Sequence, residues 1–569
     1  MSAGADAPRL PRATLAGGAA ALAWLLLALR WFDPGLAWRP AWLQATPPLL
    51  LALVFLPALG AWIWARRAAL FGRGGGDLPA LLLLTALAFA FRLPLAMQGG
   101  AGYVTPDGAL SGIVALRAYT GAQHLVFVPD VAYSGSLKSH LAAALMPVMD
   151  AARAFALASV MFYAAFVAAV FCLARAAAPE GDRWTPAAAA LYLAFAPAFV
   201  TRYSLSNDGN YVEVLAFGTW ALVAACRWRR HPEAAGPLAL AIGVLLGLAF
   251  WCHVLALVHV MALGLWMLLA APVRALRALP ALLCGFVLGV WPSLLWNAGH
   301  GFETVRYLLP GEGIDPGRTS LLARVSTVLF DHWPVLLGYD PGHPRAIDLL
   351  LRVITALVLV ALVAAIAAAA RRRRPETTLL FVLLGVNGAL AAFTLRVIPG
   401  NPRYILFSTA AAPILLALLL RGPWGRRAMT ALVLFGCASA ASQVPGALRA
   451  DRQWREFVAG LHAAGVRYCH TDFYLAAKVN FLSGEGVICS AKLGPTTTEY
   501  FEEYRPRAEQ AGDAALIAVN ATAAEKLERR LARAGVGYER LDLMKPVLFH
   551  FTRPVDPSLL FPDREFPLR

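Results

Sequence analysis

Apolar runs of about 20 residues follow one another along this sequence and limit its fold more than any other feature. A helix of about 20 residues rises about 30 Å, which matches the hydrocarbon thickness of a bilayer. Hydrophobic residues make up 59% of the chain and charged residues 15%, whereas soluble domains carry about 25% charged residues. A soluble core could not bury this much apolar surface. The sequence therefore predicts a polytopic α-helical membrane protein.

The apolar runs divide into about thirteen predicted transmembrane helices, separated by short polar segments. The long run at 237–271 is interpreted as two helices with a tight turn near Trp251. The predicted spans are 16–31, 46–65, 78–96, 153–174, 185–201, 211–226, 237–252, 255–271, 279–297, 347–370, 377–395, 403–420 and 427–445.

Basic residues cluster after every second predicted span, which places all the clusters on one side of the membrane. The clusters contain Arg66, Arg67, Arg73, Arg175, Arg183, Arg227, Arg229, Arg230, Arg274, Arg277, Arg371 to Arg374, Arg421, Arg426 and Arg427. The positive-inside rule makes this side, and the N-terminus, cytoplasmic. The segments 97–152, 298–346 and 446–569 are then extracytoplasmic. Since topology explains the net charge of +16, nucleic acid is not a predicted partner.

Residues 446–569 differ in composition from the transmembrane module at 1–445, because they carry more charge and alternate strand-like with helix-like segments. This alternation predicts a small soluble α/β domain on the extracytoplasmic side. Cys469 and Cys489 lie in this tail domain. They would pair if the domain faces an oxidising compartment, and two unpaired thiols are the alternative.

The first outer loop, 97–152, contains the most informative polar residues. Asp107 follows Pro106 at a predicted helix N-cap, and apolar residues then recur at helical spacing at Leu110, Ile113, Val114 and Leu116. This pattern predicts an amphipathic helix that lies along the membrane surface. Asp107 either only caps this helix or acts as a general base towards an acceptor at the outer surface.

Cations in two outer segments are candidate ligands of a phosphate group. Lys138 and His140 lie on a second predicted loop helix, close to Tyr133. Arg403 opens the twelfth predicted span, and its guanidinium offers a fork of donors that suits phosphate. The alternative for each is a solvated residue that anchors a helix end at the interface.

Two acidic residues, Asp208 and Glu213, flank the outer end of the sixth predicted span. A carboxylate at the membrane centre costs about 2.5–3.5 kcal/mol, so Glu213 is a candidate for substrate or cation binding. A residue at the water interface is the alternative. His253 and His259 lie in apolar helices and are interpreted as packing residues.

Three motifs of the first outer loop also occur together in a known superfamily. They are Pro106-Asp107-Gly108, the stretch 121–127, and Tyr133-Ser134-Gly135-Ser136-Leu137. With these motifs, residues 104–150 resemble the first outer loop of bacterial polyprenyl-phosphate-sugar glycosyltransferases of the GT-C superfamily. These are relatives of the protein O-mannosyltransferases and the lipid A aminoarabinose transferase. The resemblance continues at 203–226, 247–259 and 291–310, at Arg403-Tyr404, and in the tail segment 465–488.

This resemblance implies a function and a set of site residues. The donor would be a polyprenyl-phosphate-linked sugar, with Asp107 as the catalytic base and Arg403 and Tyr404 at the donor phosphate. Tyr133, Lys138, His140, Asp208 and Glu213 are further candidates for substrate binding. Where the superfamily usually has Asp-Glu, this chain has Asp107-Gly108. Because glycine supplies no carboxylate ligand, a divalent metal such as Mg²⁺ or Mn²⁺ stays open as a cofactor.

The sequence thus predicts an integral-membrane glycosyltransferase in a bacterial inner (plasma) membrane. Its partners would be the lipid-linked sugar, membrane lipid, and a saccharide, lipid or protein acceptor. One alternative is a transporter or flippase of lipid-linked saccharide, for which polar groups near the membrane midplane are expected. Another is a degenerate relative that binds the donor without transferring its sugar.

Overall fold

Helices make up most of the computed structural model, which describes residues 9–32, 40–71, 77–206, 208–309, 319–339, 345–372, 374–393, 398–493, 499–543 and 546–551. The elements up to residue 463 are α1 (Arg9–Trp31), α2 (Ala41–Ala45), α3 (Pro48–Phe71), α4 (Leu78–Gly99), α5 (Pro106–Thr120), β1 (Phe127–Val128), β2 (Val131–Gly135), α6 (Leu137–Leu145), α7 (Ala151–Ala177), α8 (Trp184–Ala194), α9 (Ala198–Tyr203), α10 (Tyr211–Arg230), α11 (Ala235–Cys252), α12 (Leu257–Ala270), α13 (Pro272–Gly299), α14 (Glu303–Tyr307), α15 (Leu321–Thr327), α16 (Trp333–Leu336), α17 (Arg345–Arg372), α18 (Pro375–Phe393), α19 (Ala412–Leu419) and α20 (Pro423–Ala463).

Apolar helices identify the chain as a multi-pass membrane protein. Among the described residues, seven helices are long and apolar enough to cross a bilayer. A 3-10 helix at Pro402–Ala410 and α19, bent by 50°, raise this number to eight if they form one span. All thirteen predicted spans coincide with a helix or a broken helix, but the shorter ones do not meet these limits. The polytopic helical fold is confirmed, and the count of thirteen stays a prediction.

Close packing of α11 against α13 explains how one wall of the bundle is built. Gly243 and Gly247 on α11 face Gly285 and Gly289 on α13, and a Cβ atom at any of the four would overlap the backbone of the other helix. Small residues spaced four apart let the backbones of two membrane helices approach closely. The helices then associate through van der Waals packing, because lipid provides no hydrophobic driving force between them. The helix α11 ends at Cys252, and extended backbone at His253 forms the turn predicted near Trp251.

The tail domain is the predicted small α/β domain, and its sheet has the order β4-β3-β5-β7-β6. The strands β3, β4 and β5 are parallel, and β7 is antiparallel to β5 and β6. Cys469 and Cys489 face each other on β3 and β4 and form a disulfide. The elements are β3 (Tyr468–Thr471), α21 (Phe473–Leu482), β4 (Ile488–Ala491), α22 (Tyr504–Gln510), β5 (Ala515–Ala518), α23 (Ala521–Arg533), β6 (Tyr538–Asp542) and β7 (Val547–Phe551).

The apolar face of α5 packs against the tail domain, which corrects the prediction that this helix rests on the membrane surface. Leu110, Ile113 and Val114 are buried in one core with residues of β3, α21 and β4. Gly112 lies directly against the ring of Phe481, where any Cβ atom would overlap the ring. Protein side chains, rather than lipid, therefore bury the face that the helical spacing marks as apolar.

Arg117 fastens the C-terminal end of α5 to the tail domain. Its guanidinium forms ion pairs with Glu485, at 2.9 Å, and with Glu503. It also lies 4.3 Å from the ring centroid of Phe501. The hydroxyl of Tyr504 donates to the Glu485 carboxylate at 2.7 Å. Because the Arg117 side chain is only 8% exposed and that of Glu485 23%, water screens this ion pair less than an exposed one, which strengthens it.

We expect Arg117→Met to lower the free energy of unfolding by about 2 kcal/mol, since Glu485 would lose its charged donor. Glu503→Gln is the matched control, because the Glu503 side chain is 46% exposed and exposed ion pairs contribute less than about 1 kcal/mol. Thermal unfolding of the detergent-purified protein measures both. Equal losses in the two variants would contradict a clamp centred on Arg117 and Glu485.

Candidate active site

A cavity of about 520 Å³ lies between the first outer loop, the membrane helices and the tail domain. It is a pocket of the size that holds small ligands. The first outer loop and tail domain contribute Asp107, Leu110, Ser111, Val128, Val131, Tyr133, Ser134 and Tyr500 to its lining. The other lining residues are Gly209, Tyr211, His253, Val254, Leu255, Leu257, Tyr307, Leu308, Leu390, Phe393, Arg403 and Tyr404.

Asp107 lies in the first turn of α5 and lines the cavity. The helix cap is its neighbour Thr105, whose hydroxyl accepts from the backbone N–H of Gly108 at 3.0 Å. Pro106 occupies the first helical position, where the absence of an N–H costs nothing. The prediction that Asp107 is the N-cap is therefore wrong, because Thr105 supplies the capping oxygen. Because Thr105 caps the helix, capping does not account for Asp107.

Arg403 is the cation of the cavity, and its side chain folds over the neighbouring Tyr404. The guanidinium carbon lies 4.8 Å from the Tyr404 ring centroid. One Nη donates to the Tyr404 hydroxyl at 2.9 Å. Buried Nε has no hydrogen-bond partner, and the side chain forms no ion pair with the described residues. Donors remain available to an anion that enters the cavity.

Aromatic rings form the remaining wall and hold it together by stacking. The rings of Tyr133 and Tyr307 are stacked at 4.2 Å, and those of Tyr211 and His253 at 5.3 Å. Tyr133 also contacts His253 edge-on at 5.5 Å. Burial, with Tyr307 and Asp107 nearby, raises the pKa of Tyr133. Its hydroxyl therefore stays protonated at neutral pH and is a hydrogen-bond donor facing the cavity.

Asn210 ties this aromatic wall to the first outer loop. Its side-chain amide donates to the Ser134 hydroxyl at 3.0 Å and to the Cys252 carbonyl at 3.2 Å. It also donates to the carbonyl of Gly135. The buried amide joins β2 to the end of α11, so Tyr133 and His253 are held at a fixed separation.

Lys138 and Glu213 lie away from the cavity, where they form a buried ion pair between α6 and α10. Lys138 Nζ is 3.3 Å from a Glu213 carboxylate oxygen, and neither side chain is exposed. The Lys138 ammonium also lies 5.7 Å from the ring centroid of Phe155. The structure does not bring these two candidates to the cavity, because Lys138 points across to α10 and neutralises Glu213 there.

The other two candidate ligands are not part of the described cavity. His140 packs against Phe32 at 4.8 Å, and its Nδ1 donates to the Ser136 carbonyl at 2.9 Å. Burial lowers the pKa of His140 to about 4, so this ring carries no charge at neutral pH. A neutral imidazole cannot neutralise a phosphate as the sequence interpretation requires. The side chain of Asp208 lies outside the described residues.

The lining also includes a histidine and three tyrosines that the sequence does not predict as site residues: His253, Tyr211, Tyr307 and Tyr500. His253 is interpreted from sequence as a packing residue, yet it occupies the break between α11 and α12. A histidine where an apolar run must break is the signal that could have identified it. Tyr500 comes from the tail domain, and no local pattern connects it to the first outer loop.

The described lining of the cavity offers few protein ligands to a metal ion. Asp107 is the one carboxylate among the described lining residues, and Gly108 beside it offers no ligand. Within the described chain, no three side chains of His, Cys, Asp or Glu could hold a metal ion together. Mg²⁺, however, is usually held by one or two carboxylates together with waters and substrate phosphates. A requirement for Mg²⁺ or Mn²⁺ stays a prediction.

Comparison with known proteins gives matches in structure only. No family model matches the sequence, and no curated protein matches it. A crystal structure of ArnT from Cupriavidus metallidurans bound to undecaprenyl phosphate matches with a TM-score of 0.60 and 12% identity, covering 82% of this chain and 97% of that one. The apo state of the same ArnT gives 0.59 and 12%, with 85% and 98% covered. The chain shares the fold of ArnT.

An oligosaccharyltransferase structure from Archaeoglobus fulgidus, in complex with Zn and sulfate, matches with a TM-score of 0.48 and 12% identity. It covers 83% of this chain and 72% of that one. The predicted resemblance to the GT-C superfamily is confirmed at the level of fold by the ArnT structures. At 12% identity, the GT-C likeness shows the architecture alone.

We expect Lys138→Met to destabilise the protein by about 3–5 kcal/mol, because it leaves the buried Glu213 carboxylate without its partner. The double variant Lys138→Met, Glu213→Leu should recover most of this loss, since an apolar pair can replace a buried ion pair. Thermal unfolding and the monodisperse fraction in detergent measure the effect. A double variant as damaged as the single one would contradict a structural ion pair.

Proposed function

We propose that the protein is an integral-membrane glycosyltransferase. It transfers a sugar from a polyprenyl-phosphate donor to an acceptor hydroxyl on a saccharide, lipid or protein. The observation that carries this proposal is that one carboxylate, Asp107, and one arginine, Arg403, line the same cavity of about 520 Å³. A base and an anion-binding group that line one ligand-sized space are the two requirements of displacement from phosphate.

The reaction follows from the chemistry of these two side chains. Asp107 accepts the proton of the acceptor hydroxyl while its oxygen attacks the anomeric carbon of the donor sugar. The bond between that carbon and the phosphate oxygen breaks, and the phosphate leaves as a stable anion. Arg403 donates to this anion with its free Nη and Nε groups, and Tyr404 orients the guanidinium. One direct displacement inverts the configuration at the anomeric carbon.

The aromatic wall has a separate role in this mechanism. Tyr133 donates from its protonated hydroxyl to the sugar or to the phosphate. The stacked rings of Tyr133 and Tyr307 offer an apolar face of the kind that sugar rings contact. No general acid is needed, because phosphate leaves without protonation. No step involves a metal ion.

Three further observations support this proposal. The fold is that of ArnT, and one ArnT structure is bound to undecaprenyl phosphate, a lipid of the proposed donor class. The disulfide between Cys469 and Cys489 favours an oxidising compartment for the tail domain. The basic clusters favour a cytoplasmic N-terminus. We therefore place the cavity on the periplasmic side of a bacterial inner membrane.

Replacing Asp107 by Asn should reduce sugar transfer by at least about 10²-fold, because an amide cannot accept the hydroxyl proton. The assay measures release of labelled sugar from polyprenyl-phosphate hexose in proteoliposomes. Asp130→Asn is the matched control, since Asp130 is exposed in the turn between β1 and β2.

If Asp107→Asn kept full transfer activity, a residue other than Asp107 would have to be the catalytic base. If neither the natural protein nor the variant transfers sugar, but both bind the donor, the chain is a binding protein rather than an enzyme. Movement of intact donor across the membrane, unaffected by Asp107→Asn, would favour the transporter.

Arg403→Gln should lower kcat/KM for the donor by about 10²–10³-fold, the usual loss when one charge-stabilising donor is removed at a reaction centre. Arg403→Lys should recover only part of the activity, because a single ammonium cannot reproduce the guanidinium fork. Arg306→Gln serves as the control, since Arg306 is an exposed cation on the nearby α14. If Arg403→Gln had the same kcat/KM for the donor as the natural protein, Arg403 would have no part in the mechanism.

A further inference from the structure

A second cavity, of about 400 Å³, lies at the opposite end of the helices that form the active-site cavity. We call it the basic cavity, because its charged lining residues are Arg374 and Arg421. The helix α18 connects the two cavities: Thr377 in its first turn lines the basic cavity, and Leu390 and Phe393 at its end line the active-site cavity. With 19 residues, α18 is about 28 Å long, close to the hydrocarbon thickness.

A second element confirms that the cavities face opposite membrane surfaces. The broken span begins with Arg403 at the active-site cavity and ends at Leu418, Leu419 and Arg421 at the basic cavity. The basic cavity is therefore at the interface that carries the arginine clusters of the sequence. Nothing in the proposed glycosyl transfer uses it.

The electrostatics of the basic cavity favour an anion. Arg374 is exposed and forms no ion pair with the described residues. Arg421 contacts the Asp182 carboxylate at 3.2 Å, but that carboxylate also accepts from the hydroxyl of Thr185 at 2.7 Å and from two backbone N–H groups. The described lining contains no carboxylate, and Asp182 is paired with Arg421 alone, so Arg374 leaves the cavity with an excess of positive charge.

The N-terminus of α18 adds to this positive potential. The Arg374 carbonyl accepts from the Thr377 hydroxyl at 2.7 Å and from the Thr378 N–H at 3.0 Å, which starts the helix at the cavity. A helix N-terminus carries a partial positive charge of about half a unit. The acid of this first turn, Glu376, is paired with Arg230 at 2.9 Å on α10 and does not line the cavity.

Apart from Arg374, Arg421 and Thr377, the described lining is apolar: Ala177, Pro179, Ala365, Ala368, Leu418 and Leu419. A soluble anion would gain nothing from contact with these apolar side chains. A phospholipid carries both a phosphate for the arginines and a hydrocarbon chain for the apolar wall. Basic pockets between membrane helices on the cytoplasmic side are known to bind lipid phosphate groups. We propose that the basic cavity binds the phosphate of an anionic membrane lipid in the leaflet opposite the active site, with the lipid chain along Leu418 and Leu419.

The test compares dioleoyl-phosphatidylglycerol with dioleoyl-phosphatidylcholine, added to the full chain in detergent. The anionic lipid should raise Tm by about 3–5 °C more than the zwitterionic one, because it binds the folded state. Arg374→Gln should remove at least half of this difference. Arg371→Gln, an exposed arginine of the same cluster, is the control for lost surface charge and should keep it.

A third variant tests the cavity without altering charge. Ala368→Phe places a ring in the space and should abolish the phosphatidylglycerol effect. Equal responses of Arg374→Gln and Arg371→Gln would overturn the site, and an unchanged response in Ala368→Phe would move the lipid outside the cavity and overturn it too. Equal stabilisation by inorganic phosphate would overturn the assignment to a lipid. The Tm measurement does not depend on activity, so a failed glycosyltransferase assay leaves this inference unaffected.

Discussion

The burial of α5 between the tail domain and the membrane helices is the constraint on which the candidate site depends. The helix is held on one side by the contact between Gly112 and the ring of Phe481. On the other side the Ser111 carbonyl accepts from the hydroxyl of Ser139 on α6 at 2.9 Å. With Arg117 fixing its far end, the helix cannot rotate without breaking a packed core. The first turn, and Asp107 with it, is therefore presented to the cavity at a fixed angle.

Buried polar groups in this protein fall into two classes, which differ in what satisfies them. Arg92 is completely buried and donates to the Ser204 hydroxyl at 2.6 Å and to the Ala194 carbonyl at 2.7 Å. Lys138 likewise pairs with one carboxylate oxygen of Glu213. Arg403, by contrast, retains a buried donor without a partner in the described structure. An unmet donor in an apolar setting costs free energy, and an anion bound in the cavity would satisfy this one.

The sequence predicts features that follow from periodicity and composition, and it misses those that depend on contacts between distant segments. Apolar runs identify the helices, and strand–helix alternation identifies the tail domain. The resemblance selects Asp107, Tyr133, Arg403 and Tyr404, and all four line one cavity. An apolar helix face, however, does not reveal whether lipid or protein covers it, so the partner of α5 was misassigned. The same limitation affected Lys138, because the position of its partner on α10 is set by tertiary packing.

The assembly of the cavity from both ends of the chain has a consequence for biosynthesis. In the proposed topology, Asp107 is made early and exported with the first outer loop, whereas Tyr500 and the residues that hold Arg117 are made last. Until the tail domain is translocated and closes on α5, the apolar face with Ile113 and Val114 has no cover. The early loop is then a nascent surface that must be shielded by the membrane or by a chaperone. A chain truncated before the tail domain would leave the apolar face of α5 uncovered and therefore prone to aggregation.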